Sequence, residues 1–457
     1  MSEKDKKDAK KGENKGENKG KPGHGKRMFL HTFGCQMNEY DSHRIKQILK
    51  KNGWEEVNSP SEAKLLIVNT CTVRKLAEDK AFSLLGRWAK LKKDRPEIVI
   101  GMLGCLAQHL KKEVFQRNNN IDFLLGPRSL SLLPELLKDV NKHKKIAEFG
   151  IHEFGEIMEE EKKNKISAYV AVMEGCNQFC SYCAVPFSRG RESSREVSDI
   201  LREIKTKVSV GVKEIILLGQ NVTRYGISLM PKVNLAKLLY EIAEIPDILR
   251  IKFLTGHPRN FSDELIQAML DIPQISRSLH LPLQAGSDKI LQAMRRGYTA
   301  KEYLILVDKL KQDLPDLTLS TDIIVGFPGE TEEDFSDTLS VVEKCNYTTA
   351  YCFKFSPRKG TLAAKMSGQI DTKVKEERLD RLLALIKKQA LISKQELVGK
   401  KVKILAEREL SKDEKILQGK TSTNYTVNFS GGVDDIGKEI LVEITGIGPS
   451  SILGKKV

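Results

Sequence analysis

Apolar and polar residues are grouped in blocks along most of the chain. Short apolar runs, RMFLHTF (27–33), AKLLIVNT (63–70), EIVIGML (97–103) and IDFLLG (121–126), are separated by longer stretches such as EYDSHRIKQILKKNG, which ends at Gly53. In those stretches the apolar positions recur every three to four residues. The runs predict buried strands, and the stretches predict amphipathic helices at about 39–53, 74–93, 106–116 and 129–140. Strands that are apolar throughout and alternate with helices predict a parallel sheet covered on both faces.

The pattern resumes at AYVAVME (168–174) and continues through KEIILLG (213–219), ILRIKFL (248–254), SLHLPL (278–283), LTLSTDIIVGF (317–327) and NYTTAYCFKFS (346–356). Thr331 and Asp334 have the spacing of a capping box at the start of one intervening helix. Six such units predict a full or partial (βα) barrel with its chemistry at the carboxyl ends of the strands. A long helix at about 372–397 closes this region. KKVKILAE, EKILQGKT, NYTVNF and KEILVEITGIG then predict a small β-barrel of the oligonucleotide-binding kind. The expected fold class is therefore α/β: an N-terminal parallel-sheet domain (28–145), a central partial barrel (162–397) and a C-terminal β-barrel (398–457). Residues 1–27, a Gly/Lys/Asn-rich tail, are expected to be disordered, and the charged stretch 152–165 to connect the first two domains.

Composition narrows the class. At 457 residues the chain exceeds one ordinary core. No apolar run reaches the roughly 20 residues that span a bilayer, and the N-terminus lacks the apolar stretch of a secretory signal. These features predict a cytoplasmic protein with no membrane association. The net charge is +15, and the first 27 residues hold ten basic and five acidic side chains, which leaves +10 on the rest. That excess fits an anionic partner, with nucleic acid the first expectation, though a Lys-rich composition gives the same sum. Eight cysteines in such a chain favour metal or redox chemistry over disulfides.

Two groups of cysteines stand out. Cys35, Cys71 and Cys105 each follow a predicted strand, in TFGC, VNTC and MLGC, so one sheet edge would gather them. Cys176, Cys180 and Cys183 form C-x3-C-x2-C on one loop, with no further cysteine until Cys345. Thiolate-only ligation suits zinc or iron–sulfur. A structural zinc site needs a fourth ligand nearby, whereas three ligands to a 4Fe-4S cluster leave one iron open. Cys345 and Cys352 read as core residues. Arg189, Arg191 and Arg195 follow the loop, either as RNA-phosphate or cofactor-carboxylate contacts or as ion-pair partners of Glu192 and Glu196.

The loop, with Tyr182 before its last cysteine, resembles the radical S-adenosylmethionine superfamily. TFGCQMNEYDS, NTCTVR, LGCLAQ, MEGCNQFCSYCAVPFSRGRESSR, LLGQNV, HLPLQAGSD and DIIVGFPGET, in order, resemble the methylthiotransferases within it, and the C-terminal segment resembles their TRAM domain. Gln36, Met37 and Asn38 resemble the branch that modifies dimethylallyladenosine beside the anticodon of tRNA. The resemblance implies two 4Fe-4S clusters, a radical-generating one on Cys176, Cys180 and Cys183 and an auxiliary one on Cys35, Cys71 and Cys105. It also implies S-adenosylmethionine near Tyr182, Gly219, Gln220 and Gly326, a tRNA substrate, an electron-donor protein and action as a monomer. Superfamily members often carry Gly-Gly-Glu where this chain has Gly219, Gln220 and Asn221, so the residue gripping the methionyl amine is left open. The alternatives are a threonylcarbamoyladenosine tRNA or a ribosomal protein as substrate, or a non-catalytic RNA-binding iron–sulfur redox sensor.

Overall fold

The computed structural model describes residues 25–140, 145–150, 165–448 and 451–457. Nearly all of the expected tail and of the charged connection lies outside the described residues.

The first region is a six-stranded parallel sheet in the order Glu55–Glu56, Arg27–Phe33, Leu65–Thr70, Val99–Leu103, Phe123–Leu125, Ile146–Glu148. Strand Leu65–Thr70 is buried along its whole length, as a strand covered on both faces must be. One face packs Leu66, Val68, Leu85 and Trp88, and the other packs Leu65, Ile67, Ile45 and Leu49. The chain leaves Arg27–Phe33 first toward one edge and then returns to its other side. The strand order therefore switches direction between Arg27–Phe33 and Leu65–Thr70, the place where open α/β sheets form a crevice.

Two expected helices are altered here. The stretch 106–116 divides into Cys105–Leu110 and Glu113–Arg117, because Lys111 takes a left-handed backbone (φ 52°). Leu106, Leu110 and Val114 all enter the core with helical spacing, so the apolar pattern conceals the break. The stretch 129–140 begins as a 3-10 segment, Pro127–Leu132, before the helix Leu133–Asp139, which has Pro134 in its first turn.

The central region holds six parallel strands in two sets of three, Ser167–Ala171, Glu214–Leu218, Arg250–Phe253 and Ser278–His280, Thr318–Val325, Thr349–Lys354. A single bridge, Ile251 to Ile275, joins the sets, which makes a partial barrel around one large apolar core. The expected strand 168–174 stops at Ala171. Met173–Glu174 turns away to pair with Ser193–Ser194, and this short ladder closes the base of the cysteine loop. The helix Thr372–Gln395 packs along the barrel.

Strands Lys401–Ser411, Ile416–Thr421, Thr426–Ser430, Glu439–Ile447 and Ile452–Lys456 form a closed barrel, one strand more than the four segments legible in the sequence. Its turn at 422–424 docks on the amino ends of the central strands. Arg250 donates to the Lys420 and Thr421 carbonyls (3.0 and 3.2 Å), Lys252 to Asn424 (3.1 Å), and Thr318 to the Thr423 carbonyl (2.9 Å). Arg250 and Lys252 also face the buried Glu214, at 3.7 and 2.8 Å. Arg250→Ala should therefore weaken the docking by about 3 kcal/mol. Limited proteolysis should then cut the junction after Gln395 at least about tenfold faster, whereas Arg408→Ala, on the barrel's outer face, should leave the rate unchanged.

Candidate active site at two facing cysteine trios

The first trio occupies adjacent positions on the sheet edge. Cys35 caps the helix Gln36–Lys51, Cys71 directly follows strand Leu65–Thr70, and Cys105 opens the helix after Val99–Leu103. The backbone turns here need glycine. At Gly34 a Cβ would lie 2.4 Å from Asn38 Oδ1 and 2.8 Å from the Cys71 Cβ; at Gly104 (φ 92°) it would lie 2.2 Å from Asn69 Oδ1. Buried amides tie the cysteine turns together. Asn38 Oδ1 accepts from the Cys35 N–H (3.3 Å), and Asn38 Nδ2 donates to Asn69 Oδ1 (3.3 Å). A hydrogen bond from the Cys71 thiol holds Cys35 down at about 6, with the Arg189 guanidinium acting the same way, while that shared bond and burial push Cys71 up.

The second trio lies on the loop closed by Met173–Glu174 and Ser193–Ser194, where the Cys176 N–H donates to the Gly190 carbonyl (3.2 Å). Arg296, missed in the sequence, is buried beneath it. Its Nη1 faces Cys180 Sγ at 3.6 Å, Nε faces the Tyr298 hydroxyl at 3.1 Å, and Nη2 donates to the Pro282 carbonyl at 3.1 Å. Its neighbourhood in MRRGYT contains no local signal for such a role; only its burial between distant segments reveals it. Burial pushes Cys183 up to about 12. His257 packs edge-on against Tyr298 (5.7 Å) and is held down at about 3 by burial and then by Arg296.

Of the predicted cofactor residues, Tyr182 is on the loop, Gly219 and Gln220 follow strand Glu214–Leu218, and Gly326 follows strand Thr318–Val325. Gln220 Oε1 accepts from the Gly175 N–H at the start of the loop (2.5 Å), and Gly219 packs so tightly that a Cβ would reach 2.6 Å from Met173. Tyr182 is half-buried against the barrel core. Gly326 (φ 70°) ends strand Thr318–Val325, donates its N–H to Glu330 (2.7 Å) and lies under the Lys375 side chain. Thr255 and Gln284 hold left-handed backbones (φ 64° and 73°) at the same barrel end, a strain that concentrates at functional sites. Cys345 is buried in the core and Cys352 half-buried in strand Thr349–Lys354.

The arginines separate. Arg189 is 3% exposed, with Asp41 at 2.5 Å and Glu174 at 3.2 Å; Arg195 is 6% exposed, with Glu203 at 2.6 Å. RNA contact was expected of both; instead Arg189 is turned onto two buried carboxylates, and Arg195 Nη1 is buried against Glu203, the Tyr40 hydroxyl (3.3 Å) and the Ala171 carbonyl (2.8 Å), so neither guanidinium lies where a phosphate would reach it. The ion-pair partners are also not the expected Glu192 and Glu196. Arg191 is exposed and lies 4.7 Å over the Phe179 ring.

Among the described residues no set of three or more His, Cys, Asp or Glu converges where a single metal ion would sit. Three thiolates in each trio are the donor set of an iron–sulfur cluster, whose irons are ligated separately. Around the first trio, Asp41 Oδ1, Thr70 Oγ1 and Thr72 Oγ1 are buried without hydrogen-bond partners, as expected of a site whose cargo completes it.

Residues 27–126 match the family described as uncharacterized protein family UPF0004, and residues 170–342 match the radical SAM superfamily. The fold is also that of a radical S-adenosylmethionine methyltransferase, TsrM, from Kitasatospora setae (TM-score 0.56, 13% identity, 74% of each chain). Fold and cysteine loop thus define a radical S-adenosylmethionine protein. The chain is 42% identical to the tRNA-2-methylthio-N(6)-dimethylallyladenosine synthase of Aquifex aeolicus (94% of this chain, 98% of that protein). It is 44% identical to that of Carboxydothermus hydrogenoformans (92% and 97%). It belongs to the family of tRNA-2-methylthio-N(6)-dimethylallyladenosine synthases.

Gly104→Ala should drive the new methyl into Asn69 and the Thr70 backbone. Iron bound after anaerobic reconstitution should fall if this trio holds iron; retention of the full wild-type complement would show that the turn relaxes or that the trio holds none.

Proposed function

We infer that the chain is a radical S-adenosylmethionine methylthiotransferase that places a methylthio group on carbon 2 of N6-dimethylallyladenosine in tRNA, next to the anticodon. The observation that carries the reading is the pairing of two cysteine trios, each at the carboxyl edge of a parallel sheet and joined through Arg189. Cys176, Cys180 and Cys183 would hold the radical-generating cluster, and Cys35, Cys71 and Cys105 an auxiliary one. Bound there, the clusters and S-adenosylmethionine supply what no side chain can, a radical able to break an aromatic C–H bond and the sulfur to replace the hydrogen.

The chain's own residues bind and orient. Gln220 fixes the entry of the cysteine loop through the Gly175 N–H, and Gly219 lets the neighbouring strand end approach it closely. Tyr182, Gly219, Gln220 and Gly326 border the cofactor, with Arg296 supplying positive charge beside Cys180. Burial, and then Arg296, keeps the His257 imidazole beside Tyr298 neutral. Arg191, exposed beside the loop, takes an RNA phosphate. Among the described residues no helix is long and apolar enough to cross a membrane. The reading carries with it a cytoplasmic location, an electron-donor protein, action as a monomer and RNA contact by the C-terminal barrel.

In a deletion strain with no second enzyme of this kind, nucleoside mass spectrometry should find the methylthio nucleoside gone and dimethylallyladenosine in its place; persistence of the methylthio form would overturn the assignment. Reconstituted protein should hold about eight irons, and about four after Cys35, Cys71 and Cys105 are replaced by Ala. Arg191→Ala should weaken tRNA binding about tenfold and reduce the slope of log affinity against log salt by about one, with iron content unchanged.

A further inference from the structure

Arg189 stands on the last turn of the short helix Val185–Arg189, just beyond Cys183, yet its side chain ends among residues of the other trio. Each nitrogen has a different partner. Nη2 meets Asp41 at 2.5 Å, Nη1 meets Glu174 at 3.2 Å, and Nε donates to the Cys105 sulfur at 3.2 Å. Asp41 is 1% exposed and Glu174 3%, so the two carboxylates hold the guanidinium in one orientation and leave Nε for the sulfur. Arg128 adds a second positive charge, with its Nε 3.8 Å from Glu174. An arginine needed only to clamp two domains would be satisfied by the carboxylates; the third contact is directed at a cysteine.

We propose that Arg189 is a positioning residue of the auxiliary centre: it fixes Cys105 against the radical-site loop and raises the reduction potential of the group that Cys105 holds. The proposal rests on the reading of Cys35, Cys71 and Cys105 as ligands of a second cluster. An N–H donor to a ligating sulfur, with a positive charge behind it, draws electron density from the thiolate and favours the more negative, reduced state. Arg189 belongs to the loop of one trio and bonds to a sulfur of the other, so it ties the placement of one centre to that of its neighbour.

The test is a reductive titration of the full-length reconstituted protein followed by electron paramagnetic resonance. The cluster whose signal changes on adding S-adenosylmethionine is the radical-generating one, and the insensitive cluster is the auxiliary one. In Arg189→Met, the ratio of reduced to oxidised auxiliary cluster at a fixed potential should fall at least about tenfold, equivalent to about 59 mV for one electron. The S-adenosylmethionine-sensitive cluster should keep its potential. Asp41→Asn removes one carboxylate charge but leaves Glu174 holding Nη1 and Nε on the sulfur, and should produce no such fall. An unchanged auxiliary potential in Arg189→Met, or an equal fall in Asp41→Asn, would overturn the proposal. If Arg189→Met does not retain its iron, Arg189→Lys is read in the same way, since its single ammonium is drawn to the carboxylates and away from the sulfur. Loss of auxiliary iron from both Arg189 variants but not from Asp41→Asn supports the positioning role; loss from all three overturns it. A wild-type protein with only about four irons would instead refute the second cluster, which separates failure of that reading from failure of this one.

Discussion

The arrangement depends on the docking of one sheet edge against the cysteine loop of the neighbouring barrel, a contact in which buried ion pairs surround a small apolar cluster. The apolar part is small: Met37 and Tyr40 from the first region meet Ala171 and Leu218. Around it, Arg189 reaches Asp41, Arg195 and Tyr40 share Glu203, and Arg358, just past the carboxyl end of strand Thr349–Lys354, donates to the Val73 carbonyl (2.6 Å) and faces Glu78 (3.4 Å). Buried ion pairs add little net stability because desolvation offsets most of their attraction, but breaking one strands a charge. Such an interface is poor at holding misaligned states.

Much of this was legible before any coordinates. Apolar runs placed four of the six strands in the first sheet and all six parallel strands of the central region, but not the short edge strands Glu55–Glu56 and Ile146–Glu148, which lack an apolar run; the three strand-end cysteines announced a shared edge because parallel strands all end on one side. The break at Lys111 was hidden because Leu106, Leu110 and Val114 keep helical spacing across it. Asn38 was legible as part of a motif, but not as the amide that links two cysteine turns.

The arginines were the least legible. A sequence shows that Arg189, Arg191 and Arg195 are close in the chain, and proximity suggests a common task. The fold gives them different ones because the helix turn at Val185–Arg189 points Arg189 into the interface, while Arg191 stays outside over Phe179. Burial of a charge is decided by which carboxylates the tertiary structure brings near. Here these are Asp41, some 150 residues away, and Glu174 and Glu203, whose distance in sequence gives no periodic signal.

The same docking has a consequence for how RNA is held. The closed barrel sits on the amino ends of the central strands, through Arg250, Lys252 and Thr318, whereas both trios lie beyond the carboxyl ends. A five-residue strand such as Glu214–Leu218 separates these ends by about 13 Å. On the proposed reading, a nucleotide at the trios and a phosphate at the closed barrel therefore belong to different nucleotides of the RNA. Contacts by the barrel then contribute affinity without identifying the base. Selection of dimethylallyladenosine falls to the few side chains around the trios, and the diffuse positive charge serves to bring RNA to them rather than to choose it.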